Sequence, residues 1–149
     1  MVEPRALVRP INLLAIGHEA SRSGATLVHM GWLRWAARHP ERFSVRAITV
    51  RRGPLLADWP RQIPNQVLGR LDPSRGRVAS WLSTRVTDRP VFLRRRFRQA
   101  FLAVRSVDVV LVNTLTLGWL FKGLGELRSP VVVHAHELAG STRAFALPE

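Results

Sequence analysis

Ile11-Asn12-Leu13-Leu14-Ala15-Ile16-Gly17-His18-Glu19-Ala20-Ser21-Arg22-Ser23-Gly24-Ala25-Thr26 is the stretch on which the fold turns. Ile11–Ile16 is almost continuously apolar, as expected for a parallel strand buried on both faces. Gly17 to Ser23 then form a polar, small-residue loop, and Ser23 or Gly24 can cap a helix. That helix is expected over Ala25 to His39. One apolar stripe holds Val28, Gly31, Trp32, Trp35 and Ala36, a second holds Leu27, Met30, Leu33 and Ala37, and Pro40 ends it. Phe43–Val50 alternates and is rich in Val, Ile and Thr, so it reads as a second strand. Strand, helix, strand within about forty residues is a βαβ unit.

Working outward, a loop region from Arg51 reaches Pro64, and a weak third strand is expected at Gln66–Leu71. Pro73 to Val104 reads as mostly helical, broken near Asp88-Arg89-Pro90. In its second part Leu93, Phe97, Ala100, Phe101 and Val104 fall at i, i+4, i+7, i+8 and i+11, one face of a helix. Val107–Val112 is another buried strand, Leu115–Leu127 a helix, and Val131–His134 the last strand. The expected fold is α/β, a Rossmann-like, doubly wound and mostly parallel sheet of about five strands. In such sheets ligands sit at the carboxyl ends of the strands. His18, Glu19, Ser21 and Arg22 follow one strand, Asn113 and Thr114 a second, and His136 and Glu137 a third.

The 149 residues fit one domain with an ordinary core. The hydrophobic share of 46% is globular, and no cysteine is present, which excludes disulfides and thiolate metal sites. The N-terminus has no secretory signal, and no stretch approaches the roughly 18 to 20 apolar residues of a membrane span. A soluble cytoplasmic protein is therefore expected. The net charge of +13 is concentrated in residues 51–105, which hold thirteen arginines against three acids. It reflects either a solvated arginine-rich surface or an anionic partner such as phospholipid, nucleotide or nucleic acid.

The helix start at Gly24, Ala25 and Thr26 offers amide donors and partial positive charge to an anion, but a Ser-Gly pair in that position is also an ordinary cap. Neither Gly-x-Gly-x-x-Gly nor a Walker lysine is present. His134-Ala135-His136 alone lacks the three ligands that zinc needs, and no Gly-x-Ser-x-Gly elbow occurs. A hydrogen-bonded structural role is the simpler account of the histidines. Asn113-Thr114 is either part of the cleft rim or a cap for the next helix.

Three passages resemble the N-terminal domain of retaining family 4 glycosyltransferases of the GT-B fold. They are Gly17-His18-Glu19-Ala20-Ser21-Arg22-Ser23-Gly24-Ala25, Val112-Asn113-Thr114-Leu115 with Gly118-Trp119 after Asp108-Val109-Val110, and Pro130-Val131-Val132-Val133-His134-Ala135-His136-Glu137-Leu138. Their order and separation fit, and together they span most of the chain. The resemblance implies an acceptor-side domain facing a second, donor-binding domain, with residues 1–149 as the N-terminal portion and the C-terminal domain with its Glu-x7-Glu motif missing. It implies that the isolated chain is inactive. Gly24, Ala25 and Thr26 would lie near the diphosphate of a nucleotide-sugar, His136 beside the donor sugar with Glu137 adjacent, and His18, Glu19, Ser21, Arg22, Asn113 and Thr114 along the acceptor cleft.

No metal or other cofactor is implied, in keeping with the lack of an Asp-x-Asp pair. The partners implied are a nucleotide-sugar and a glycan or lipid-linked acceptor of the cell envelope. Peripheral contact with the inner face of the plasma membrane would come through Arg89–Arg105, with Phe92, Phe97 and Phe101; the alternative for those phenylalanines is the sheet. The competing functional reading is a basic α/β binding module for nucleic acid or anionic membrane, with no catalytic role. No helix-turn-helix, zinc or RNP pattern points to specific nucleic-acid recognition.

Overall fold

A computed structural model describes residues 9–70, 76–82, 89–104, 106–121 and 128–135, apart from the side chains of 79, 80 and 82. Its elements in chain order are β1 (Ile11–Glu19), α1 (Gly24–Ala37), β2 (Phe43–Arg51), a 3-10 turn (Pro54–Asp58), β3 (Asn65–Val67), α2 (Arg77–Leu82), α3 (Pro90–Ala103), β4 (Val109–Val112), a second 3-10 turn (Leu115–Leu117), α4 (Gly118–Phe121) and β5 (Val131–Val133). The five strands form one sheet in the order β3-β2-β1-β4-β5, and every pairing is parallel. The α/β, Rossmann-like expectation is met, with the parallel character complete.

Alternation along β1 explains why this strand is central. Leu13 and Ala15 point to one face, where Met30, Leu33 and Ala36 of α1 cover them together with Val45, Ala47, Leu55 and Ile63. Leu14 and Ile16 point to the other face, against Leu93, Phe97 and Ala100 of α3 and Leu117 and Leu120 of the 115–121 segment. A strand buried on both sides needs no polar face, which is why Leu13–Ile16 carries none. Pro90 begins α3, where a missing N–H costs nothing.

Several boundaries differ from the sequence reading. β1 continues past Ile16 to Glu19, because Gly17 pairs with Thr49 and Glu19 with Arg51 of a nine-residue β2. The loop into α1 is therefore shorter than expected. β3 covers 65–67 rather than 66–71, and the segment after Leu115 starts with a 3-10 turn. The buried face of α1 is rotated: Thr26, His29, Met30, Leu33 and Ala36 face inward, while Leu27, Val28 and Gly31 are exposed. Counting only apolar side chains missed this, since two polar residues, Thr26 and His29, complete the inward stripe.

The apolar face of α3 lies on the sheet. Phe97 is fully buried and Phe101 partly so, which leaves Phe92 as the exposed member of the three phenylalanines. No helix among the described residues is long and apolar enough to cross a membrane.

Candidate functional site

The chain reverses its direction of travel across the sheet at β1. β2 and β3 lie on one side of it, β4 and β5 on the other. The loops leaving β1 and β4 therefore diverge, and the carboxyl ends beside such a reversal, the switch-point crevice of open parallel sheets, are where these sheets take their ligands. Here the walls are the Ala20–Gly24 turn with the start of α1 and the Asn113–Thr114 corner.

Asn113 ties the two sides of this position together. Its main-chain N–H donates to the Ile16 carbonyl at 3.0 Å, and its side-chain Nδ2 donates to the Ala25 carbonyl at 3.1 Å. One residue thus couples β4, β1 and the first turn of α1. Thr114 caps the turn that follows, its Oγ1 accepting from the Thr116 N–H at 3.2 Å. Both residues are buried, so they build the corner from within rather than projecting from its rim.

On the opposite wall Ser23 is the N-cap of α1, its Oγ accepting from the Thr26 N–H at 3.4 Å. Thr26 Oγ1 meets Ser23 Oγ at 2.9 Å and donates to the Glu19 carbonyl at 3.3 Å, fastening the helix start to the end of β1. The first intrahelical bond runs from the Leu27 N–H to Ser23. The N–H groups of Gly24 and Ala25 lie before it and have no acceptor among the described residues, the usual state of a helix start. Gly24 is exposed, and a Cβ placed on it would meet nothing within 4 Å. No acidic side chain occupies this first turn. Such a terminus favours an anion through its amides and its dipole together.

Between these walls His18, Glu19 and Ser21 form a small polar cluster. Ser21 Oγ donates a short hydrogen bond to Glu19 Oε1, and His18 Nδ1 stands 4.0 Å from Glu19 Oε2. Burial pushes the His18 pKa below its ordinary value; the neighbouring Glu19 carboxylate opposes that shift and Arg51 reinforces it. The imidazole is accordingly neutral at pH 7 and able to donate or accept a hydrogen bond. Arg22 is exposed just before the helix cap. Among the described residues no three His, Asp or Glu side chains gather in a metal-binding group.

His134 follows β5 at the surface, with its N–H bonded to the Val112 carbonyl at 2.8 Å. His136 and Glu137 lie outside the described residues.

Three contributors to this region escaped the sequence reading. His29 is buried in α1, and a Cβ on Gly17 would stand 3.4 Å from its ring, so the histidine underlies the end of β1. Arg51 is the register partner of Glu19. Gly53 is buried where the chain crosses the β1 turn: a Cβ there would come within 2.3 Å of the Ala20 carbonyl oxygen. That same oxygen accepts from the Leu55 N–H at 2.9 Å, while the Ala20 N–H donates to Arg51 at 3.2 Å. The Arg-Arg-Gly-Pro turn after β2 is the only local cue to this contact, and it does not say what the glycine approaches. No protein-family model matches the sequence, and comparison with curated proteins and with solved structures returns no match.

Proposed function

We propose that the chain is the acceptor-side portion of a retaining, nucleotide-sugar-dependent glycosyltransferase of the two-domain GT-B type. The observation that carries the reading is the reversal of strand order at β1, where the exposed start of α1 at Gly24 sits beside the Asn113–Thr114 corner. The three passages that resemble such enzymes include both walls. On this reading the main-chain amides stabilise the developing charge on a leaving diphosphate, which preorganised donors do without reorganising at the moment of reaction. Neutral His18, beside Glu19 and Ser21, hydrogen-bonds hydroxyls of the acceptor. His136 and Glu137 keep the donor-sugar role that the resemblance implies, and a second domain grips the donor, so residues 1–149 alone bind without transferring.

The test is a titration of the isotopically labelled chain with inorganic pyrophosphate at constant ionic strength. Saturable shifts of the Gly24, Ala25 and Thr26 amides are expected, weakened in Gly24→Ala, whose methyl group enters the approach to the helix start without disturbing the fold. Absence of shifts there sinks the phosphate assignment. Sugar transfer by the 149-residue chain from any of a panel of nucleotide-sugars would sink the claim that it is inactive alone.

A second reading, peripheral docking to anionic lipid, is favoured by the outer face of α3. Val91, Arg95, Arg98 and Leu102 follow one another at helical spacing there, all exposed, with Phe92 beside them. Binding to phosphatidylglycerol vesicles at low salt, lost in Arg95→Glu/Arg98→Glu, is the expected result, and no binding at low salt removes the reading. Nucleic-acid stacking has less support. Trp32 and Trp35 pack with Phe43, Trp59 donates to the Ile63 carbonyl and Trp119 lies under Arg94, which leaves Trp81 as the exposed one of the five.

A further inference from the structure

A second polar pocket lies at the opposite pole of the sheet, where the strands begin. β1 and β2 run in register there, Asn12 beside Ser44 and Leu14 beside Arg46. Side chains two apart on a strand share a face. Asn12, Ser44 and Arg46 thus project to the face that Leu14 and Ile48 share with α3. They stand just beyond the point where α3 ends at Ala103 and stops covering the sheet. Ser106 closes the pocket from the connection between α3 and β4. It has φ 59°, the one left-handed non-glycine residue among those described, a conformation that persists only where the surroundings impose it.

The pocket is about 230 Å³ and open to solvent, with Ser44, Arg46 and Ser106 exposed. Its polar lining consists of a guanidinium, a carboxamide and two hydroxyls, with no carboxylate. Among the described residues none of these four side chains has a hydrogen-bond or ion-pair partner within the protein. Asp108, which accepts the Asn12 main-chain N–H, is not in the lining, and both its oxygens are engaged by Arg9. A second groove of about 410 Å³ meets the pocket at Arg46 and Val104. Its walls are largely apolar, with Ile48, Pro64, Ala100 and Ala103.

We infer that this pole binds a small organic oxyanion, a carboxylate or phosphate head held by Asn12, Ser44, Arg46 and Ser106, with a short apolar body along Ala100 and Ala103. The site is independent of the crevice and goes beyond the transferase reading. Arg46 supplies the charge, since a charge-assisted bond is about twice as strong as a neutral one. The hydroxyls and the carboxamide supply direction.

Hexanoate and acetate are the probes, titrated into the isotopically labelled 149-residue chain at ionic strength fixed with chloride and followed residue by residue. Hexanoate should shift the Ser44 and Ser106 amides and the Arg46 Nε–H saturably, leave Gly24–Thr26 unmoved, and bind about tenfold more tightly than acetate through its buried methylenes. Arg46→Gln should weaken it about tenfold. Ser44→Ala should weaken it less, and Arg38→Gln, which removes an exposed charge just past the end of α1, less than twofold. The assignment is overturned if no saturable shift occurs at these residues. It is equally overturned if Arg38→Gln weakens binding as much as Arg46→Gln, which would mean diffuse charge attraction. Equal affinity for acetate and hexanoate would remove the apolar half of the site. Saturable shifts at Gly24–Thr26 with silence at Arg46 would leave the crevice reading intact and remove this one.

Discussion

Gly53 and Ala20 touch backbone to backbone, and the contact fixes how the turn after β1 sits over the end of β2. Gly53 is extended, with φ −176°, so any residue could adopt its backbone; only the space is denied. A methyl group 2.3 Å from the Ala20 carbonyl oxygen must push main chain rather than a side-chain tip. Gly53→Ala is therefore expected to destabilise the fold by roughly 1–3 kcal/mol, the usual cost of overpacking. Because Ala20 sits in the crevice wall, amide shifts of Ser21–Thr26 should accompany the loss. An unchanged melting temperature would disprove the contact. At His18 the prediction concerns pH. Burial lowers its folded pKa, so the unfolded chain takes up the proton first, and stability falls as pH drops through about 6.5 toward the folded value. His18→Gln should flatten that limb below about pH 7 in thermal melts, and a limb of equal slope in the variant would assign it elsewhere. The Ser23 cap was legible in the sequence because capping is a local matter. Gly53 and His29 were not, because their reasons lie in residues that approach from other elements.

Helices α1 and α3 show how far hydrophobic spacing carries at the scale of an element. For α3 the stripe Leu93, Phe97, Ala100 is the buried face, since arginines elsewhere on the helix leave one apolar side to choose. For α1 the apolar residues nearly encircle the helix, and the pattern could not tell which arc turns inward. Thr26 and His29 decide it: the threonine bonds to Glu19, and the histidine fits under Gly17. The arginines of α3 are also more than a solvated fringe. Arg94 Nε donates to the Trp119 carbonyl at 3.0 Å with its guanidinium 5.7 Å over that ring, and Arg96 Nη1 donates to the Leu68 carbonyl at 2.9 Å. These bonds fasten α3 to segments on both sides of the reversal. Phe97 has Phe101 and Phe121 at 5.8 and 5.5 Å between centroids and no exposed surface. Phe97→Ala should cost about 3–5 kcal/mol, a large part of the stability of a domain this size. Phe92→Ala, on the outer face, should stay within about 0.5 kcal/mol. Chemical denaturation of the two variants separates them, and similar losses would mean that the orientation of α3 is wrong.

Over the whole molecule, the strand types were readable but their order was not. Periodicity identifies Ile11–Ile16 and Val109–Val112 as buried strands, yet nothing local says that β4 crosses to the far side of β1 and so creates the crevice. The clamp that holds the opposite pole is equally non-local. Arg9 Nη1 and Nη2 each lie 2.8 Å from an Asp108 oxygen, and the Asn12 main-chain N–H donates to the same carboxylate at 2.8 Å. Residues 99 apart thereby fix the entry to β1 against the entry to β4. The hydrogen bond from Arg9, followed by that from Asn12, holds the Asp108 pKa down to about 2. Because the folded value lies below the unfolded one of about 3.9, the clamp contributes its full stability above pH 4. The contribution fades as pH falls toward 2, where the folded carboxyl takes up its proton. Asp108→Asn removes the charge at every pH and leaves a side chain of nearly the same size. The variant should melt below the parent protein at pH 7, and the gap should narrow steadily between pH 4 and pH 2.5. A gap that stays constant across that range would mean that the ion pair, well exposed on its arginine side, contributes shape but no charge-dependent stability.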